Sequence, residues 1–130
     1  MSPERLYRTS IGTFAVSLVL PAVIGTGSDP NMWGWQAFSF SLNPIALIAW
    51  PSNFGYIGAA VFRKLEFHRV GLAASVVSVS DMLFVAFVFL TDRTGGPIRP
   101  FYGYLGPGYF AWLAAGVMML MSSWKSARAG

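Results

Sequence analysis

The sequence predicts an all-α membrane protein of four transmembrane helices with both ends on the cytoplasmic side, and three observations predict it. Four long stretches, 9–28, 30–62, 70–91 and 100–124, are almost free of charge, the third holding a lone Asp81. Each can supply the roughly 20 apolar residues that cross about 30 Å of hydrocarbon. Charged residues make up 11% of the chain and its mean hydropathy is +0.54, whereas a soluble domain carries about 25% charged residues. Water is therefore the wrong reference solvent. Finally, seven of the nine basic residues, Arg5, Arg8, Arg63, Lys64, Arg69, Lys125 and Arg128, fall at the two ends and in the second loop, leaving Arg93 and Arg99 opposite. The positive-inside rule then places both ends in the cytoplasm.

Taken in order, the spans are expected at 6–26, 41–62, 70–91 and 104–124, forming one membrane domain over 1–130. The first carries Pro21, expected to kink it near its outer end. Arg5 and Arg8 ahead of an apolar run also resemble a secretory signal. The absence of an A-x-A site after 24 favours a retained helix. The outer segment 27–40 leads from a turn cluster at 27–30 into Trp33, Trp35, Phe38 and Phe40, a density of rings that marks the headgroup level and suits a short interfacial helix or a re-entrant segment.

The second span is the least regular, with Pro44, Pro51, Asn43, Ser52 and Asn53 breaking its apolar run. A broken helix exposes carbonyls that neighbours, side chains or water must satisfy. In the third span, Gly71, Ala74, Ser75 and Ser78 recur three or four apart and lead to Asp81, so this face is expected to look into the bundle, while the bulky half at 83–90 meets lipid or a partner. The fourth span follows a Gly- and Pro-rich junction at 95–108, and Trp112 and Trp124 suit its two interfaces. Neither a strand before the glycines nor a lysine after them supports a phosphate loop. Met118, Met119 and Met121 read as packing or lipid contacts.

Asp81 is the residue most able to carry chemistry. It falls near the middle of its span, where a charge costs roughly 2.5–3.5 kcal/mol on insertion scales. No lysine or arginine lies near that depth in any span, Arg8 standing at the inner end of the first, so a carboxyl there is expected to hold its proton. Counting residues from the cytoplasmic basic groups puts Asn53 and Ser17 at similar depth, which suggests a polar cluster of Ser17, Asn53, Ser78 and Asp81 with Asn53 donating to Asp81. Such a cluster is a hydrogen-bonded clamp between helices or a proton or cation site, and the clamp is favoured because a carrier generally needs opposing charges or a relay. His68, beside Arg69 at the mouth of the third span, suits lipid headgroups better than ligation of a haem or chlorin metal. With no cysteine and one histidine, no metal centre, cofactor or thiol chemistry is expected. The scattered basic residues argue against nucleic acid.

Leu20-Pro21, Gly34-Trp35-Gln36-Ala37, Ala49-Trp50 with Asn53, and Gly108-Tyr109-Phe110-Ala111-Trp112-Leu113-Ala114 together resemble a group of small, uncharacterised four-span bacterial membrane proteins with GW-x-A, AW-x-x-N and GYxxWLA elements. Phe54 stands where that group carries proline. The resemblance implies a four-span topology in a bacterial inner membrane and supplies no activity. The expected role is a noncatalytic accessory or structural subunit, or a self-associating bundle, partnered by the bilayer and other membrane subunits. The alternative is a small oligomeric proton- or cation-coupled transporter using Asp81. An enzyme is not expected, because no nucleophile has a recognisable base beside it.

Overall fold

In the computed structural model of the chain, which describes residues 1–25, 31–38, 44–91 and 103–130, helices dominate and run alternately up and down. The turn cluster at 27–30, Phe40, Asn43 and the loop carrying Arg93 and Arg99 lie outside the described residues. The first helix, α1 (Pro3–Val19), is capped by the Ser2 hydroxyl, which accepts the Arg5 N–H at 3.2 Å, and has proline in its first turn. Both features are those of a favoured helix start. It ends earlier than the expected span. Leu20 is extended (φ −100°, ψ 151°) because the ring of Pro21 disfavours helical backbone in the residue before it.

Pro21 therefore ends the helix instead of kinking it, and the chain continues as a strand, β1 (Pro21–Gly25). It is the central strand of a three-stranded antiparallel sheet, flanked by β2 (Met32–Trp33) and β3 (Gly103–Leu105). The fold is thus mostly helical with a small sheet at one end. That sheet is the main departure from an all-α architecture. Apolar alternation too short to show above the long hydrophobic runs hid it from the sequence. Val23, Met32 and Phe89 pack together at this end.

A short helix, α2 (Gly34–Phe38), sits in the segment where one was expected. Next, α3 (Pro44–Lys64) begins with Pro44, so that proline starts the helix and only Pro51 interrupts it. The turn to α4 (His68–Thr91) is a Schellman close: Phe67 N–H reaches Phe62 O at 2.9 Å, Glu66 N–H reaches Arg63 O at 3.3 Å, and the Phe62 and Phe67 rings meet edge to face. Glu66 takes the left-handed position (φ 65°) that such a close requires and glycine usually fills. The last helix, α5 (Pro107–Ala129), starts just after β3.

Helix α3 packs on α4, α1 on α5, and α4 on α5. At the sheet end of the bundle, the starts of α2 and α5 meet the end of α1 at two close approaches. A Cβ on Gly34 would stand 1.9 Å from the Ser17 carbonyl oxygen, and one on Gly108 would stand 2.6 Å from that of Leu20. Only glycine lets these backbones meet.

At the opposite end the chain's two ends come together. Lys125 Nζ donates to Met1 O at 2.9 Å, Ser122 Oγ donates to Pro3 O at 2.7 Å, and Arg63 Nε donates to Ser122 Oγ at 3.3 Å. The seven basic residues singled out from the sequence thus occupy helix termini at one end of the bundle.

Among the described residues, one helix is long and apolar enough to cross a membrane, at His68–Leu90. This is fewer than the expected four. With 17 residues α1 is short, and Ser122, Ser123, Lys125 and Ser126 dilute the end of α5. Only 28% of the most apolar stretch of α4 is buried against the rest of the chain, so it is not the core helix of a bundle that hides its apolar side chains.

Candidate functional site

The inside of the bundle is unusually polar and its outside unusually apolar. Ser10, Ser17, Ser52, Asn53, Ser75, Ser78, Ser122, Ser123 and Ser126 are all buried. Val16, Phe54, Ile57, Val61, Val77, Leu83, Phe84, Phe87, Phe110 and Met121 are each at least two-fifths exposed. Burying a hydroxyl without a hydrogen-bond partner is costly, and each of these helices supplies partners to the next.

The Ser10 hydroxyl donates to Ala115 O at 2.7 Å, which commits its single proton. The Tyr56 hydroxyl, 2.7 Å away, must then be the donor to Ser10 Oγ. In the same way Ser75 Oγ donates to Gly71 O at 2.8 Å, so the Ser123 hydroxyl at 3.0 Å donates to Ser75. Tyr109 reaches Met82 O at 2.8 Å across the α4–α5 contact.

The centre of interest is the α3–α4 contact around Asp81. Pro51 lacks an N–H, and its ring displaces the carbonyl one turn earlier, which loosens the helix at that point. The backbone N–H of Ser52 then turns to Asp81 Oδ2 at 3.1 Å, and the Ser52 hydroxyl donates to the same oxygen. Ser78 Oγ closes the group by donating to the Ser52 carbonyl at 2.8 Å. Asp81 therefore caps the second half of α3 from a neighbouring helix, where the amide dipoles favour an acceptor. Its side chain is half-buried, and Oδ1 has no hydrogen-bond partner among the described residues.

The expected cluster is split in two by this arrangement. Ser78 belongs with Asp81, but Asn53 does not: its Oδ1 accepts the indole N–H of Trp112 at 3.1 Å, and it faces α5. Adjacent residues of a helix point about 100° apart, so a depth argument that located residues 52–53 could not say which of them faced α4. Ser17 bonds within α1, donating to Phe14 O at 2.6 Å. Ser17 and Asn53 instead share a cavity of about 40 Å³ beneath the sheet, bounded also by Phe38, Phe89, Tyr109 and Trp112. It has room for one or two waters, and Asp81 does not line it.

Among the expected interface residues, Trp33, Trp35 and Trp124 are exposed at the two ends of the bundle, and the Arg128 guanidinium lies 5.3 Å from the Trp124 ring centre. Trp112 departs from expectation, since its N–H is turned inward to Asn53. Ser52 and Ser10 are the polar residues that sequence reasoning missed. The spacing of Leu6, Ser10 and Ser17, all buried on α1, was the available signal. No family model, curated protein or solved structure matches the chain.

Proposed function

We propose that the protein is a noncatalytic integral membrane bundle that acts by packing, as an accessory or structural subunit of a larger membrane assembly or with copies of itself. The observation that carries this reading is the distribution of polarity: serines and Asn53 are buried beside the apolar core, while many large apolar side chains stand outside. Water would drive the opposite arrangement, whereas in lipid tails small polar side chains bond across helices and bulky ones face outward.

In this reading α4 crosses the bilayer with α1, α3 and α5 beside it, giving four spans in a bacterial inner membrane. The sheet lies at the outer headgroup level, continuing α1 past the reach of its own 17 residues, and the basic end lies in the cytoplasm. Resemblance to small four-span bacterial proteins agrees with this arrangement. A packing role is supported by how the buried hydroxyls are used. Those of Ser10, Ser75, Ser78 and Ser122 all bond to backbone or to other side chains, an arrangement suited to holding helices together.

The test is fractionation followed by mild-detergent purification. Retention in membranes after an alkaline wash and recovery in a stoichiometric complex, hetero- or homomeric, are the expected results. Release by the wash would overturn the membrane reading, and recovery as a lone monomer would overturn the packing role. A second reading, a small oligomeric proton- or cation-coupled transporter, is favoured by Oδ1 of Asp81, which has no hydrogen-bond partner among the described residues. It requires proton or cation flux in liposomes that Asp81→Asn abolishes.

A further inference from the structure

We propose that the cytoplasmic end of the bundle carries a binding site for the phosphate of an anionic membrane lipid, an inference that rests on the membrane reading above. An open groove of about 340 Å³ lies there, lined by Pro3, Glu4, Arg63, His68 and Ser126 among others. Arg63 is its chemical centre. The side chain is only 16% exposed, held by the Nε bond to Ser122 and by the Tyr7 ring, whose centre is 5.8 Å from the guanidinium carbon. Fixed in this way, the guanidinium keeps both terminal nitrogens without a hydrogen-bond partner among the described residues. The nearest acid, Glu4, is 3.9 Å from Nη2, too far for a hydrogen bond, and its other oxygen is bonded to Arg8 at 2.8 Å. A planar fork of N–H groups so prepared matches two oxygens of a phosphate.

His68 lines the same groove, and its Nδ1 is buried without a partner among the described residues. Nε2 is therefore the nitrogen through which this ring can reach a ligand. Around the groove the exposed Arg69, Lys125 and Arg128 add positive charge, and among the described residues Glu4 and Glu66 are the acids at this end. Exposed Leu65, Phe67, Val70 and Trp124 flank it with apolar surface. Charge at the headgroup level above apolar surface at the acyl level complements an anionic phospholipid, since juxtamembrane cations are drawn to anionic lipid. Free phosphate would meet the same fork but gain nothing from the apolar flank.

The experiment uses detergent-purified, delipidated protein, with phosphatidylglycerol, phosphatidylcholine or inorganic phosphate added, read by thermal unfolding and by native mass spectrometry. Phosphatidylglycerol is expected to raise Tm by roughly 5 °C near saturation and to remain bound one to one, with the other two additions inert. Arg63→Gln should remove the shift, while Lys64→Gln, the same change of charge outside the groove, should keep it. Should Arg63→Gln fail to fold, His68→Gln decides, with a reduced shift expected. Equal effects of the two lipids, equal loss in Lys64→Gln, no loss in His68→Gln, or an equal effect of inorganic phosphate would overturn the site. A chain that stays monodisperse after detergent removal would instead overturn the membrane reading itself.

Discussion

Replacing Asp81 separates the acceptor role of its carboxyl from its charge. Ser52 is fully buried, and both its backbone N–H and its hydroxyl donate to Oδ2. In Asp81→Ala the N–H is orphaned at the turn that Pro51 loosens, and a buried unsatisfied donor costs about 1–3 kcal/mol. The hydroxyl can rotate to a carbonyl of its own helix, so its share is about 0.6 kcal/mol, the membrane average for such bonds. Together these give about 1.6–3.6 kcal/mol, and for a chain of this size each kcal/mol lowers Tm by roughly 3–5 °C. Asp81→Asn keeps an oxygen where Oδ2 stands and should lose less than about 1 kcal/mol. Thermal unfolding in detergent, followed by circular dichroism, measures both. If Asn proves as damaging as Ala, the charge and not hydrogen-bond acceptance holds the contact, and the clamp reasoning fails.

Three further predictions concern the fold. Gly34→Ala should destabilise by at least about 2 kcal/mol through overpacking, since its Cβ would collide with the Ser17 carbonyl, whereas exposed Gly12 has nothing within 4 Å and Gly12→Ala should raise stability by about 0.5–1 kcal/mol through helix propensity; paired unfolding curves compare them. Ser10→Ala should cost about twice as much as Tyr56→Phe, because the first orphans the Tyr56 donor while the second leaves Ser10 bonded to Ala115 O; the same curves give the ratio. Glu66→Gly should stabilise by about 0.5–1 kcal/mol by relieving the left-handed backbone of a residue with a Cβ, read as slower unfolding or a higher Tm.

What could be read from the sequence divides along physical lines. The inward face of α4 was legible because Gly71, Ala74, Ser75 and Ser78 recur at the helical period, and in the structure Gly71, Ser75 and Ser78 are buried while Ala74 is half-buried. The stop at Leu20 was legible in principle from Pro21, but a membrane reading favours a kinked continuation, because in lipid a strand needs partners that only the distant 32–33 and 103–105 segments supply. The pairing of Asp81 was half legible. Depth along a helix follows from counting, but direction around the axis changes with every residue and shifts again at a proline, so Ser52 and Asn53 could not be told apart. The Arg63 groove was illegible, since it joins residues 3–4, 63–68 and 126–130 that only the antiparallel closing of α1 on α5 brings together.

The membrane reading and the presence, among the described residues, of one sufficiently apolar helix fit together through the same side chains. A helix packed on neighbours needs apolar residues only along the stripe that faces lipid, and every serine that bonds inward lowers its average hydropathy without touching that stripe. Helix α3 illustrates this: Ser52 and Asn53 are buried, while Phe54, Ile57 and Val61 are exposed three or four apart. In α5, Ser122, Ser123 and Ser126 are buried while Phe110, Val117 and Met121 are exposed. A soluble bundle with the same average would exchange the two sets, apolar side chains inward and serines outward. The polar residues that dilute these helices are also the ones that join them, so substituting the exposed Phe54, Ile57 and Val61 by serine or glutamine discriminates between solvents. Such changes would make a water-exposed surface more soluble and leave its fold intact, but would impair insertion of a lipid-facing one.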